Sequence, residues 1–248
     1  MSGPTLDLLE PDWPAPDCVR AASTTRHGGL SQGAYSGLNL STSVGDDAAT
    51  VVKNRLLLME TAGLPESPRW LEQVHGNTAI EASDHIRVRR ADACVTDRPS
   101  QVCAVLTADC LPILLCDEKG TQVAAVHAGW RGLAAGVVES AVETFRQPEK
   151  VMAWLGPGIS ARAYTVGLEV RDTFLADDAN AARAFAPHGE DRWLADLPEL
   201  ARQRLHRCGV SQIYASGLCT YSDPLGFFSY RRDGVTGRMA TLIWITPA

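Results

Sequence analysis

The segments 102–107, 112–116 and 122–127 are almost continuously apolar, and nothing else in the sequence restricts the fold more. A strand wetted on one face alternates apolar and polar residues, whereas a strand apolar throughout needs cover on both faces. Further strands are expected at 19–25, 69–74, 93–96, 151–155, 212–214, 227–230 and 238–245. Helical spacing marks 49–62, with Val52, Leu56 and Met59 on one side and Gly63 closing it. It also marks 132–145, where Leu133, Val137, Ala141 and Phe145 recur at four-residue spacing, and two more helices are expected at 168–185 and 197–208. Strands with a few interspersed helices give a mixed α/β, or α+β, sheet architecture. No Pro/Ser-rich or Gly-rich linker divides the 248 residues. One domain is therefore expected over 1–248, with 1–16 an irregular Pro-rich leader.

Bulk properties exclude several classes of function. The net charge is −6 and the arginines are scattered, which argues against a nucleic-acid-binding surface. No apolar stretch approaches the roughly 20 residues that cross a bilayer, and the first 16 residues do not read as a signal peptide. A cytoplasmic location is expected, with no membrane partner. Seven cysteines, an odd number with no C-x-x-C pair, read as reduced thiols. Among them Cys94, Cys103 and Cys116 read as small buried hydrophobes.

Three segments set polar chemistry against this apolar background. In Trp70-Leu71-Glu72-Gln73-Val74-His75-Gly76 an apolar strand ends in a histidine, and in an extended chain Gln73 and His75 share a face. In Leu106-Thr107-Ala108-Asp109-Cys110-Leu111-Pro112 the proline marks a break in pairing, and an extended chain points Asp109 and Cys110 opposite ways, so only one can be a direct ligand. In Val126-His127-Ala128-Gly129-Trp130-Arg131-Gly132 a buried strand delivers a histidine to a glycine turn and a helix start, where Arg131 favours an anion. Each group alone has a bland reading: a satisfied strand-end histidine, or a thiol buried as a hydrophobe. Together, two imidazoles and a thiolate form the three-ligand set of a catalytic zinc site, with a fourth position open. Their spacings, from 75 to 110 and from 110 to 127, match no local metal motif.

At these residues the chain resembles the YfiH/FAMIN family, also called the laccase-domain or peptidoglycan-editing-factor family. The matching strings are Ser23-Thr24-Thr25-Arg26-His27-Gly28-Gly29, Leu38-Asn39-Leu40, Trp70 to Gly76, Thr107 to Pro112, His127 to Gly132, Trp154-Leu155-Gly156-Pro157 and Phe228-Ser229-Tyr230-Arg231-Arg232-Asp233. The resemblance implies a single α/β domain with a layered α-β-β-α core and a metal, usually zinc, at His75, Cys110 and His127. It also implies purine nucleoside chemistry: phosphorolysis of adenosine, inosine, guanosine and methylthioadenosine, and deamination of adenosine. One departure is Thr165, where an acidic residue is expected.

On that reading the partners are purine nucleosides and phosphate, and His75, Cys110, His127 and Asp109 carry the catalysis. Arg26, Arg131 and Arg231 would hold phosphate or ribose oxygens, with Asn39 and Gln73 as further substrate contacts. Asp109 or a histidine would assist proton transfer to the leaving purine, and an activated water would attack C6 of adenine in deamination.

Other readings stay open. One is a Cys-His hydrolase or amidase acting on peptidoglycan precursors, with Cys110 as a thiolate nucleophile. Another is a copper polyphenol oxidase, with copper in place of zinc, although six histidines without a His-x-His pair are few for several coppers. A non-enzymatic zinc fold would need a fourth protein ligand. The sequence does not set the oligomeric state; a monomer is the working expectation.

Overall fold

The computed structural model describes residues 6–82 and 90–247. Two sheets lie face to face. One has four antiparallel strands in the order Leu8–Leu9, Val19–Thr24, Met239–Ile245, Val102–Thr107. The other has six strands in the order Gln212–Ala215, Val151–Leu155, Leu111–Asp117, Val123–Ala128, Ala93–Thr96, Ala79–Glu81, parallel at its two ends and antiparallel between. A small antiparallel sheet of Thr165–Gly167, Arg192–Ala195 and Phe185–Pro187 stands apart from both.

The period-two geometry of strands explains why the apolar runs are unbroken. Cys103 and Val105 turn inward to meet Leu114, Cys116, Ala125 and Ile243 between the sheets. Their neighbours Val102 and Ala104 turn outward and pack under Leu38, Leu40 and Leu58. In the next strand Ile113 and Leu115 face the opposite side, against Leu133, Val137 and Leu205 of the helices. The layering is therefore α-β-β-α, and each fully buried Leu or Ile contributes roughly 1.5–3 kcal/mol of burial. Cys94, Cys103 and Cys116 lie in the inter-sheet layer as small apolar side chains.

Several elements depart from the sequence expectation, each for a local reason. The segment 69–74 is extended, but among the described residues it forms no strand and makes only isolated bridges, Arg69 to Cys103 and Glu72 to Arg90. Pro112 is no break in pairing: it lies inside the Leu111–Asp117 strand, opposite His127. Its missing donor is tolerated because it stands next to the strand's first residue. The aromatics of 227–230 form no strand either. Phe227 and Phe228 plug a small cluster with Ala108 and Met239, and a short helix, Tyr230–Asp233, follows.

The helices are also redrawn. The 132–145 helix is two, Trp130–Ala135 and Val137–Val142, broken at Gly136 with φ of 91°. The 168–185 helix stops at Asp177; Asp178 leaves the helical region and caps a 3₁₀ turn, and Phe185 begins a strand. In the Ala48–Thr61 helix, capped by Asp47, the buried face is Val51, Asn54 and Leu58, while Val52 and Leu56 are exposed. An apolar count misses that face because its centre is polar: Asn54 bonds Leu30 N–H, the Ser31 hydroxyl and the Asn39 carbonyl. The leader is not wholly irregular, since Leu8–Leu9 pairs with residues 23 and 24. Residues 1–5 lie outside the described residues, within which no helix is long and apolar enough to cross a membrane.

Candidate metal centre

Three corners of the fold meet at one end of the six-stranded sheet. Cys110 immediately precedes the Leu111–Asp117 strand, His127 is the penultimate residue of the Val123–Ala128 strand, and His75 sits on the extended 69–76 segment. The pairing of Pro112 with His127 brings the second and third corners together. His75 has φ of 59°, so the chain turns there and does not keep Gln73 and His75 on a common face. Gln73 instead caps the edge strand, exchanging two hydrogen bonds with the backbone of Leu106 at 2.7 and 2.8 Å.

The ligand atoms of His75, Cys110 and His127 all lie within 4.8 Å of one another. Cys110 Sγ is 3.8 Å from His75 Nε2, and the two imidazoles meet edge to face with centroids 4.8 Å apart. Donors bound to one zinc at tetrahedral angles stand roughly 3.3–3.8 Å apart, so the set needs only small side-chain adjustment to grip an ion. His127 is buried, Cys110 half-buried and His75 exposed, so the site opens to solvent on the His75 side. The N₂S donor set and the open face fit a zinc ion.

Behind the ligands stands Asp92, which the sequence reading did not single out. Its carboxylate is wholly buried and accepts from His127 Nδ1 at 2.8 Å. It also accepts the backbone N–H groups of His75 at 2.9 Å and Gly76 at 2.7 Å. Burial opposes its ionisation, but the His127 and amide hydrogen bonds outweigh this and hold it below the ordinary carboxylate range. Its only signal in the sequence is an acid directly before the apolar Ala93–Thr96 strand. With Nδ1 committed to Asp92, His127 turns Nε2 toward Cys110, as metal-ligating histidines do. Burial pushes the Cys110 thiol up, yet the charge of and hydrogen bonds from His127 and His75 bring it down to about 6. His127 is correspondingly raised to about 9: burial disfavours its charge, while Cys110 and Asp92 stabilise it.

Gly129 closes the pocket wall. A Cβ there would lie 2.9 Å from Cys110 Sγ and 3.2 Å from His75 Cδ2, so any larger residue in this strand-to-helix turn would displace the donors.

The other expected site residues divide into groups. Arg131 is exposed and stacks on Trp130 at 4.5 Å. Arg231 lies over Tyr164 at 4.9 Å and donates from Nη1 to the Thr165 carbonyl at 2.7 Å. At the departure from the family pattern, then, it is the backbone of Thr165 that Arg231 uses. Arg26 lies over Phe228 at 4.5 Å and donates to the carbonyls of Pro224 and Ser36. Asn39 is fully buried, and its four hydrogen bonds go to the protein: to the Ser41 carbonyl and Asp46, and from Ser41 N–H and Arg238 N–H. Asn39 and Gln73 thus direct these hydrogen bonds to the protein itself. Asp109 is not in an extended stretch, its φ being 89°, and its carboxylate bonds Thr220 and Arg231 while the donor group comprises His75, Cys110 and His127.

Tyr164, next to Thr165, is a further polar residue near the site that the sequence pattern does not mark. It is 9% exposed, and among the described residues its hydroxyl has no protein hydrogen-bond partner. Burial raises it to about 12, with the charges of Cys110, Arg231 and Arg131 all acting on it.

A layered α-β-β-α domain with a His₂Cys donor group that could hold one metal ion, open on one side and braced by a buried carboxylate, defines the class. A profile of the family described as "Multi-copper polyphenol oxidoreductase laccase" matches residues 20–246. The chain belongs to that family, which includes the YfiH proteins. It is 51% identical over 240 residues to the Escherichia coli protein named purine nucleoside phosphorylase YfiH, covering 96% of this chain and 98% of that one. The crystal structure of Neisseria meningitidis protein NMB0706 superposes with a TM-score of 0.93 at 48% identity, covering 97% of this chain and 99% of that one. That of Bacillus licheniformis YfiH gives 0.91 at 30% identity, covering 99% and 98%.

Proposed function

We propose that the chain is a zinc-dependent purine nucleoside phosphorylase acting on adenosine, inosine, guanosine and methylthioadenosine, and that it also deaminates adenosine. One observation carries this reading: the convergence of two imidazoles and a thiol within 4.8 Å, in a chain half identical to a protein named for the first activity. A zinc ion held by His75, Cys110 and His127 would supply Lewis acidity and an open coordination position.

The chain's own residues supply the rest. Arg131 and Arg231 offer planar guanidinium donors to phosphate oxygens, and Arg26 is a third candidate with two donors already engaged. Tyr164 has a free hydroxyl beside them for a ribose or phosphate oxygen. In phosphorolysis a phosphate oxygen bonds to C1′ as the C1′–N9 bond breaks. The bonding pair leaves with the purine, which takes up a proton, and ribose 1-phosphate remains. Asp92 holds His127 in one tautomer and orientation throughout.

Incubation with inosine and with adenosine, with and without phosphate, tests the proposal by chromatography. Free base formed only with phosphate supports phosphorolysis, and inosine formed from adenosine supports deamination. Neither product at full zinc loading refutes the reading.

A second reading has its own observation. Asp92, His127 and Cys110 also stand in the order of a nucleophilic thiol, its base and an orienting acid, with the thiol at about 6. This is the arrangement of a Cys-His hydrolase or amidase, for which peptidoglycan precursors are the candidate substrates. Chelation separates the two: activity that survives metal removal but is lost on thiol alkylation favours the hydrolase. A copper oxidase is disfavoured because, among the described residues, only one such donor group converges. Oxidation of a phenol by the copper-loaded protein, exceeding nucleoside turnover, would reverse that judgement.

A further inference from the structure

We infer that Asp109 is a positioning residue that fixes Arg231 relative to Cys110, and is not the proton donor of the reaction. The inference rests on the phosphorolysis proposed above only for its kinetic readout. Asp109 is 8% exposed and holds a left-handed φ of 89°, a conformation that a residue with a Cβ rarely adopts without compensation. Its hydrogen bonds are that compensation. Oδ1 accepts the Thr220 hydroxyl at 2.7 Å, Oδ2 accepts the backbone N–H of Arg231 at 2.6 Å, and its own carbonyl accepts the Ile159 N–H at 2.8 Å.

One residue therefore ties three distant segments to the corner from which the next residue, Cys110, reaches the metal centre. Arg232 fastens the same lobe from the other side, donating to the carbonyls of Thr220, Tyr221 and Phe227. From the latched backbone the Arg231 guanidinium extends over the Tyr164 ring, 4.9 Å from its centroid.

The hydrogen-bond inventory separates the two roles. The Arg231 amide can only donate, so Oδ2 must accept. The Thr220 hydroxyl can donate or accept, so it is satisfied by either an acceptor or a donor at the Oδ1 position. Asparagine meets both demands, with its oxygen toward Arg231 and its NH₂ toward Thr220, and it tolerates positive φ. It cannot act as a general acid. Glycine keeps the backbone conformation and loses both bonds.

Asp109→Asn and Asp109→Gly are prepared with the zinc-loaded full chain, with Thr220→Val as a milder break in the same latch. If Asp109 positions, Asp109→Asn lowers kcat/KM by no more than about threefold, because both hydrogen bonds are kept. Asp109→Gly raises KM for phosphate by roughly tenfold or more with a smaller change in kcat, and Thr220→Val shifts it in the same direction. Zinc content stays at the wild-type level in all three. Hydrogen exchange at the Arg231 amide gives a readout free of turnover: slow in wild type and Asp109→Asn, fast in Asp109→Gly.

An Asp109→Asn protein as inactive as Asp109→Gly would overturn the inference in favour of an acid role. Unchanged exchange at Arg231 in Asp109→Gly would overturn it whether or not turnover is seen. Absence of phosphate-dependent turnover in the wild type would instead strike the phosphorolysis reading, and the exchange comparison would still decide the role of Asp109.

Discussion

Asp92 Oδ1 lies 2.8 Å from His127 Nδ1, while the same carboxylate accepts the backbone N–H of His75 at 2.9 Å. One buried acid thus orients the ring of one ligand and holds the left-handed turn that presents another. Replacing it with Asn leaves a single oxygen where the site uses two, so either His127 or the turn loses its partner. Asp92→Asn is expected to weaken zinc binding by about 10- to 100-fold, the usual effect of removing a partner behind a metal ligand. Competition with a chromophoric chelator measures this; an affinity equal to wild type removes Asp92 from the site.

Gly129→Ala tests the tightness of the pocket wall. The backbone there has φ of −73°, which alanine adopts freely, so the substitution carries no conformational strain of its own. Its methyl group would sit 2.9 Å from Cys110 Sγ, which must shift. We expect a folded protein whose nucleoside turnover falls by roughly tenfold to a hundredfold, because displacement of a ligand by a fraction of an ångström misaligns the reacting groups. Full turnover and full zinc occupancy would show that the donors do not act where the structure sets them.

The apolar strands were legible because burial on both faces leaves no ambiguity about where their side chains go. The segment 69–74 was misread because its residues are strand-like while its pairing is made by a side chain: Gln73 satisfies the Leu106 backbone that a neighbouring strand would otherwise bond. Residues 227–230 were misread for a related reason, since Phe227 and Phe228 serve a local cluster rather than a ladder. At the candidate site, His75, Cys110 and His127 were visible as polar interruptions of apolar runs. Asp92 was not, because a lone acid before a strand looks like a turn residue until its four donors are known. Asn39 and Asp109 carry the converse lesson: polar residues in matching strings also make hydrogen bonds within the fold that only coordinates expose.

Asn39→Ala follows from that point. It deletes a side chain making four hydrogen bonds in a fully buried place and leaves the amides of Ser41 and Arg238 without acceptors. Each buried unsatisfied donor costs about 1–3 kcal/mol, so a loss of roughly 2–6 kcal/mol is expected in denaturant unfolding. KM for the nucleoside should stay within about twofold in the fraction that folds. A raised KM with stability intact would return Asn39 to the role of a ligand contact.

Asp47 supplies a pH dependence. Hydrogen bonds from the Thr50 hydroxyl and backbone hold this cap below the ordinary carboxylate range. A depressed folded pKa stabilises above the unfolded value and is lost as pH falls through the folded one. The thermal midpoint should therefore drop on acidification below about pH 4, and Asp47→Ser, which caps without titrating, should flatten that part of the curve. An identical slope in the variant would show that the cap contributes nothing to acid sensitivity.

The break at Gly136 yields a rank order rather than a single value. Its φ of 91° is one that L-residues avoid, yet a Cβ there would meet nothing nearer than Glu139 Oε2 at 3.6 Å. Any cost of substitution is therefore conformational, not steric. Alanine should cost about 1–2 kcal/mol, and asparagine, which visits the left-handed region more readily, should cost less. For a chain of this size that is roughly 2–8 °C in Tm for Gly136→Ala. Because the break also sets the direction of the Trp130–Ala135 helix, whose first turn carries Arg131, Gly136→Ala should raise KM for phosphate more than Gly136→Asn does. A higher midpoint for Gly136→Ala than for Gly136→Asn, the order that helix propensity gives, would mean that the chain runs through this position as one continuous helix.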